Sequence, residues 1–339
     1  MTQRLPWAPG SATGVGPMPG TDPVEAATLV VGELGSLPHL PQLPARGAGA
    51  DAVGRTAALL VDLHVEVAVG RWRLVPRPTR DHQRARELVA RDLDAMEQAA
   101  QGHRGVLKVQ LLGPWTLACQ LELPGGQQVL ADPSAVRDVA ASLAEGVAAH
   151  RRDLRLRLPG VERVVTELDE PLLAVVLAGQ VPTASGWGRH PAVEESAAVE
   201  VEGAVLEAAG EGGGVRLGGR AAPVGLARRA AARFLSLGVD ALGAEMEEQL
   251  GEALEAGVGL LAGVVPPSHE GPADLDALAA PLRRLWRRLG LHPALLPQTV
   301  VVTPSGGLEG VTPGQAAAVL RRCRELADRL LADPEGAAP

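Results

Sequence analysis

The sequence predicts an α/β protein that forms a single (β/α)8 barrel, the TIM-barrel fold. Short apolar segments alternate with longer amphipathic ones, eight of each, and 339 residues are enough for such a barrel. An open doubly wound sheet is the alternative, but it would need a glycine fingerprint after its first strand. The segment 14–20 has the wrong glycine spacing, and its prolines remove backbone donors, so the barrel is favoured.

The predicted strands are short apolar segments bounded by glycine, proline or charged residues. They cover residues 12–16, 63–69, 106–113, 161–169, 214–219, 234–239, 258–265 and 299–303. The predicted helices repeat their apolar residues at helical spacing and cover residues 23–34, 81–100, 133–156, 193–209, 223–232, 241–256, 273–289 and 313–331. Asp22, Asp132 and Thr312 each stand before a proline, which is typical of an N-cap followed by the first helical residue.

One barrel domain is predicted for residues 12–332, since no internal repeat or long linker divides the chain. Residues 1–11 precede it as an N-terminal extension, and residues 333–339 follow it as a flexible tail. The segment 37–54 is rich in glycine, proline and alanine, which predicts an ordered loop over one end of the barrel.

Composition restricts the function classes. The net charge of −8 argues against a general nucleic-acid partner. Because the sequence shows no secretory signal and no apolar run that could span a bilayer, we expect a cytoplasmic protein without a membrane partner. Cys119 and Cys323 belong to no metal-binding motif, and Lys108 is the only lysine, which excludes a Walker-type phosphate loop. The oligomeric state stays open.

Asp169 is the strongest candidate for a functional residue. Chemistry in such barrels takes place on the loops that follow the C-terminal ends of the strands, and Asp169, Glu170 and Pro171 end an apolar strand. Strand alternation sends only one of the two adjacent carboxylates into the barrel mouth. A carboxylate there can bind an ammonium group or act as a base. The alternative is a cap for the helix at 172–177 together with a surface charge.

Two further residues leave alternatives open. Trp115 stands in a strand-to-helix turn, where it either lines a pocket for an apolar or planar ligand or fills the core. Lys108 lies inside the third predicted strand. It needs a carboxylate partner if it faces the barrel interior, and it needs none if it extends past the barrel edge into water.

Four segments together resemble the catalytic barrel of cobalamin-independent methionine synthase, most closely its short single-barrel members. They are 13–22 (TGVGPMPGTD), 108–117 (KVQLLGPWTL), 168–171 (LDEP) and 302–308 (VTPSGGL). The resemblance covers almost the whole chain and implies a (β/α)8 barrel related to uroporphyrinogen decarboxylase. It also implies methyl transfer from methyl-tetrahydrofolate to the thiol of homocysteine, for which the family uses a zinc ion that activates the thiol.

The zinc ligands of that family are missing from the matching positions. The family takes them from an H-x-C pair, an acidic residue and a second cysteine. The corresponding residues here are Gly219, Ala221, Gly238 and Gly306. None of them offers a donor atom, so we expect no metal and no cofactor. A register shift of two residues would bring Asp240 to the acidic position.

The resemblance also implies substrate-binding residues. Asp169 matches the aspartate that holds the homocysteine ammonium. Gly16 lies in the first segment beside Pro17, where the family has a serine that contacts the amino acid. With Trp115 and Glu170, these residues form the predicted site for small-molecule substrates, an amino-acid thiol and a folate.

Three functions are compatible with these observations. The first is an enzyme of methionine-synthase type, and the second is a metal-free reaction on the same scaffold. The third is a catalytically degenerate barrel that binds a folate or an amino acid without turnover. In each case we expect the largest cavity at the barrel mouth, lined by Trp115, Asp169 and the loops of Gly219 and Gly306.

Overall fold

The strands of the protein form two sheets. The computed structural model describes residues 5–219, 221–267 and 274–336. Its strands are β1 (His64–Ala68), β2 (Arg71–Val75), β3 (Gly105–Leu112), β4 (Leu121–Glu122), β5 (Val161–Glu170), β6 (Gly213–Leu217), β7 (Phe234–Gly238), β8 (Gly259–Val265) and β9 (Val300–Pro304). The main sheet is curled and parallel, with the order β3-β5-β6-β7-β8-β9, and each of its strands agrees with a predicted one.

The helices are joined to these strands in alternation. They are α1 (Pro23–Glu33), α2 (Ala52–Ala57), α3 (Arg80–Ala99), α4 (Pro114–Gln120), α5 (Pro133–Arg157), α6 (Leu173–Leu177), α7 (Glu195–Ala209), α8 (Val224–Arg229), α9 (Ala244–Glu255), α10 (Leu275–Arg288), α11 (Leu296–Thr299) and α12 (Pro313–Ala332). The predicted caps are confirmed: Asp22 and Asp132 accept backbone N–H bonds in the first turns of α1 and α5, and Thr312 begins a capping box at α12. Among the described helices, none has the length and apolar character that a membrane span requires.

Two further segments extend the main sheet at its edges. Thr13 N donates to Val302 O (3.0 Å), and Val302 N donates to Ser11 O (3.1 Å), so residues 11–13 run beside β9. At the other edge, Leu40 N donates to Lys108 O (2.9 Å), and Lys108 N donates to Pro38 O (2.9 Å). These contacts are isolated parallel bridges rather than full strands. The observed sheet therefore has six strands and two bridged edge segments.

The predicted strand at 63–69 does not belong to the main sheet, so this assignment was wrong. Its residues form β1, which pairs antiparallel with β2 in a small separate sheet that β4 completes. Val69 and Gly70, at the turn, both have positive φ angles (51° and 76°), the backbone of a tight two-residue hairpin. The edge position next to β3 is taken instead by residues 38–40, within the segment that the sequence predicted to be a loop.

Residues at both ends of the chain, outside the predicted domain limits of 12 and 332, pack against or bond to the domain. Trp7, in the predicted extension, is 5% exposed and packs edge-on against Phe234 with ring centroids 5.6 Å apart. These rings belong to an apolar cluster on the inner face of the sheet: Trp7, Leu37, Val165, Phe234, Leu261 and Val301. At the other end, Arg283 donates to the carbonyl oxygen of Asp333 (2.8 Å). Residues 337–339 of the predicted tail lie outside the described residues.

A buried ion pair lies beyond that cluster on the inner face. Lys108 of β3 is fully buried, and its Nζ is 3.0 Å from Oε1 of Glu167 on β5. Nζ also donates to Gly14 O (3.2 Å) and to Gln110 Oε1 (3.3 Å). His39 packs nearby, and burial, with a smaller contribution from Lys108, lowers its pKa to about 3, so its ring is neutral. The sequence left two positions open for Lys108, and the structure shows the inward one with its carboxylate partner.

Glu170 points to the opposite face of β5 and fixes the start of α4. Its Oε1 accepts from Trp115 N (2.8 Å), and its Oε2 accepts from Thr116 N (2.8 Å) and Thr116 Oγ1 (2.6 Å). A Cβ atom at Gly113 would lie 2.3 Å from Glu170 Oε1, so only glycine fits there. The carboxylate therefore stabilises the start of α4, not that of the helix at 172–177, and it is buried rather than on the surface.

A second buried glutamate, Glu202 of α7, interacts electrostatically with Glu170. Burial raises the pKa of Glu170 to about 7, although its hydrogen bonds to Thr116 and Trp115 act in the opposite direction. Burial, and then the charge of Glu170, raises the pKa of Glu202 well above its usual value of 4.5. Two carboxyl groups in one dry environment cannot both ionise at low cost, so this environment favours the protonated form of Glu202.

The first prediction concerns the buried ion pair. Lys108→Met should lower the free energy of unfolding by about 3–5 kcal/mol, because it leaves the Glu167 carboxylate buried without its partner. The double variant Lys108→Met/Glu167→Met should recover most of this loss. Urea denaturation of wild type, Lys108→Met, Glu167→Met and the double variant gives the coupling energy. A double variant that is no more stable than Lys108→Met would contradict the assignment.

The second prediction concerns Glu202. Its folded pKa lies above its unfolded pKa, so the stability it contributes is fully present below about pH 4.5 and is lost as the pH rises through the folded value. Glu202→Gln should therefore increase the free energy of unfolding relative to wild type at pH 8, with a smaller difference at pH 5. Glu207→Gln, at an exposed position of the same helix, is the control. Parallel stability–pH curves for Glu202→Gln and wild type would contradict the prediction.

Candidate functional site

The C-terminal ends of the main-sheet strands surround a cavity of about 430 Å³, which we call the mouth. Four strands supply polar side chains to it: Asp169 of β5, Arg216 of β6, Ser236 of β7 and Thr303 of β9. Ser305, directly after β9, adds a further hydroxyl. In the strand register, Asp169 lies beside Arg216, and Arg216 lies beside Ser236. A carboxylate and a guanidinium thus open into the same small space.

Asp169 is the most perturbed group of the mouth. Burial, and then the charge of Glu167, raises its pKa to about 7, while Arg216 and Lys108 act in the opposite direction. Its Oδ1 has no hydrogen-bond partner among the described residues. Such a carboxyl is close to half ionised at neutral pH, so it can either exchange a proton or bind a cation that enters the mouth.

Arg216 has no ion-pair partner within the described part of the chain. It is half-buried in β6, and its strand neighbour Asp169 is the carboxylate whose pKa it lowers. A guanidinium presents parallel N–H donors that match the two oxygens of a carboxylate. The mouth therefore offers one anionic and one cationic group at neighbouring positions.

The structure separates the predicted binding residues. Asp169 faces the mouth and Glu170 faces away from it, as strand alternation required. Trp115 does not line the mouth, so this part of the prediction was wrong: it is 3% exposed, and its indole N–H donates to Ala198 O (3.2 Å). Gly16 does not line the mouth either. Its neighbour Val15 does, while the carbonyl of Gly16 accepts from Gln42 N (3.0 Å).

The positions that match the family's zinc ligands are only partly brought together. Gly219 and Gly238 line the mouth, whereas Ala221 and Gly306 do not. Gly219 has a φ of +80°, so a histidine built there would be strained even though its Cβ has open space. Asp240, the substitute for the acidic ligand, is exposed after β7 and does not line the mouth. No residue at these five positions puts a donor atom into the mouth.

The described residues do not fit a zinc ion at the mouth. They contain no group of three or more histidine, cysteine, aspartate or glutamate side chains that could hold a metal. Both cysteines are buried elsewhere, and burial, followed by the charge of Glu170, raises the pKa of Cys119 to about 12. Ser236, Thr303 and Ser305 bring only hydroxyl groups, which are not typical zinc ligands.

A cavity larger than the mouth lies elsewhere, which corrects the expectation that the largest cavity is at the mouth. A cavity of about 720 Å³ lies outside the sheet and has Trp115 in its wall. The sequence analysis also missed Arg216. It lies in a short apolar strand, where a single arginine is easily taken for a residue at the solvent-exposed edge of the sheet. The sequence signal that could have identified Arg216 was the spacing of Glu167 and Asp169, which places two carboxylates on one face of β5. Buried carboxylates are usually paired with cations, so this spacing predicts a cation on a neighbouring strand.

Comparison with known proteins gives a likeness of structure but not of sequence. No protein-family model matches the chain, and no curated protein sequence matches it. A B12-independent methionine synthase from a Shewanella species, solved with selenomethionine, has a TM-score of 0.58 at 11% identity, covering 96% of this chain and 99% of that one. A methyltransferase from Methanosarcina mazei has a TM-score of 0.57 at 13% identity, covering 96% and 94%. At these identities the likeness shows the fold, so the chain has the fold of these two proteins over nearly its whole length.

Proposed function

We propose that this chain is a barrel of the methyl-transfer type whose mouth binds a small α-amino acid. The observation that carries the proposal is the pairing of Asp169 with Arg216 in one cavity. An α-amino acid carries an ammonium and a carboxylate one carbon apart. The ammonium is assigned to Asp169 and the carboxylate to Arg216, each through a charge-assisted hydrogen bond.

The proposal includes a closed eight-stranded barrel. The bridges of residues 11–13 to β9 and of residues 38–40 to β3 support it, because they extend both edges of the observed sheet. The residues that follow these two segments are also hydrogen-bonded to each other: Met18 N donates to Gln42 O (2.8 Å), and Gln42 N donates to Gly16 O (3.0 Å). In this proposal the two segments supply the first two strand positions and close the ring.

The reaction class rests on the likeness to the two proteins described above and on the sequence motifs. Following the resemblance carried by the sequence motifs, a thiol amino acid, homocysteine, is the methyl acceptor in this proposal, and a methyl-folate is the donor. Asp169 and Arg216 bind and orient the acceptor, so that its side chain lies toward the glycine-lined ends of β6 and β7. The absence of side chains at Gly219 and Gly238 leaves room for it there.

A second function, binding without turnover, is favoured by one observation. The described mouth residues offer no imidazole or thiolate that could hold a zinc ion to activate a thiol. A protein that kept Asp169 and Arg216 while losing such ligands would still bind amino acids. Formation of methionine from homocysteine and methyl-tetrahydrofolate by the purified protein distinguishes the two functions.

The third prediction concerns Asp169 and pH. Because the ammonium binds the ionised carboxyl, affinity for methionine should rise as the pH increases from 6 to 8 through the Asp169 pKa of about 7. Asp169→Asn should weaken binding by about 10- to 100-fold at pH 8, the value of a charge-assisted hydrogen bond, and should abolish this pH dependence. Calorimetric titration measures both. Asp240→Asn, which removes an exposed carboxylate, is the control.

Arg216 is tested in the same titrations with a second ligand. Arg216→Gln should weaken binding of methionine but not of 3-(methylthio)propylamine, which has the same side chain and ammonium but no carboxylate. Glu170→Gln should change methionine affinity less than Asp169→Asn does, because Glu170 faces away from the mouth. Equal effects of the two carboxyl substitutions would overturn the assignment of the ammonium to Asp169.

The fourth prediction concerns zinc. Because the described mouth residues supply no zinc ligand set, purified protein should contain far less than one zinc per chain after dialysis against a weak chelator. Elemental analysis by mass spectrometry measures this content. Zinc close to one per chain, together with a loss of unfolding free energy when a strong chelator is added, would contradict the prediction.

A further inference from the structure

The second cavity lies outside the sheet, between α5, α7 and the loop at 178–194. Its volume of about 720 Å³ falls in the range of small-molecule sites, roughly 300–1,000 Å³. Apolar side chains supply most of its wall: Trp115, Leu130, Val136, Val193 and Val201. It shares no lining residue with the mouth, so the two cavities are separate sites.

A chain of hydrogen bonds fixes the one imidazole of this cavity. Gln128 Nε2 donates to Cys119 O (3.1 Å), which orients the amide and leaves its Oε1 as an acceptor. His190 Nε2 is 2.7 Å from that Oε1, so the ring proton lies on Nε2. Nδ1 of His190 is then a bare acceptor, and among the described residues it has no hydrogen-bond partner. His190 lines the cavity, which therefore presents an acceptor and not a donor at this point.

The charged side chains that line the cavity sum to zero net charge. Arg137 and Arg189 line it, as do Glu194 and Glu200, and all four side chains are exposed. Burial lowers the pKa of His190, so its ring is neutral at pH 7. An ion that left water for this largely apolar space would find no excess of opposite charge to compensate its lost hydration.

We propose that this cavity binds a neutral, flat, apolar molecule that donates one N–H or O–H hydrogen bond to Nδ1 of His190. The apolar wall contacts the faces of the molecule, with the buried ring of Trp115 among its surfaces. The site is independent of the amino-acid site proposed at the mouth.

Indole and benzofuran are the probes. They have nearly the same shape, but indole has an N–H donor where benzofuran has an ether oxygen. If Nδ1 accepts a bond, indole should bind about 2- to 10-fold more tightly than benzofuran, the value of one neutral hydrogen bond. Calorimetric titration of the full chain at pH 7.5 gives both dissociation constants. His190→Phe should keep an apolar surface, remove the acceptor and abolish this preference for indole.

A matched pair of variants on α7 tests the location. Ala197 lines the cavity at an exposed position, so Ala197→Trp adds a bulky ring to the cavity without disturbing the core. Ser196 is the adjacent exposed residue and does not line the cavity. Ala197→Trp should weaken indole binding at least 10-fold, whereas Ser196→Trp should leave it unchanged.

Two further outcomes decide the proposal. It is overturned if Ala197→Trp binds indole as wild type does, or if wild type binds indole and benzofuran equally. Asp169→Asn should leave indole affinity unchanged while it weakens methionine binding, so failure at one cavity does not imply failure at the other.

Discussion

The ion pair between Lys108 and Glu167 is the interaction on which the interior of this protein depends. A lysine ammonium can lie within a sheet interior only if a carboxylate and several oxygen acceptors surround it. Lys108 meets this requirement with Glu167, the carbonyl of Gly14 and the amide of Gln110. The pair therefore connects β3 to β5, and Lys108 also bonds to Gly14, which directly follows the edge segment 11–13. It also reaches the mouth, because the Glu167 charge contributes to the raised pKa of Asp169.

Acidic residues on the two faces of β5 have different roles. Glu167 and Asp169 face inward, where one carboxylate pairs with Lys108 and the next opens into the mouth. Glu170 faces outward, where it accepts the free N–H groups at the start of α4 and interacts electrostatically with Glu202. One strand thus supplies an internal charge, a carboxyl group that opens into the mouth and a helix cap within four residues. A shift of the register by one residue would exchange all three.

The sequence predicted those features that depend on local patterns. Apolar runs identified the six main strands, and Asp22, Asp132 and Thr312 identified helix starts, because caps and periodicity involve residues close in sequence. The strand at 63–69 was placed in the wrong sheet, since an apolar run does not reveal its partner and the Val69–Gly70 turn looked like an ordinary strand end.

The sequence predicted the position of Asp169 in the candidate site but not the residues that surround it. Alternation along β5 predicted that Asp169 and Glu170 point to opposite faces, and the family resemblance, not alternation, selected Asp169 as the inward residue. Arg216 was missed because its relation to Asp169 arises from pairing between β5 and β6, which are distant in the chain. Trp115 was misplaced for a related reason: its indole N–H finds its acceptor on α7, at Ala198, and this contact draws the ring away from the mouth.

The burial of Lys108 has a practical consequence for chemical labelling. It is the only lysine of the chain, and its ammonium is fully enclosed and engaged with Glu167. Reagents that acylate amines need a neutral, accessible nitrogen, so the folded chain offers them no lysine side chain. Unfolding exposes that one amine. A single added acyl group on Lys108, located by peptide mass spectrometry, would therefore report how often the interior of the sheet opens to solvent.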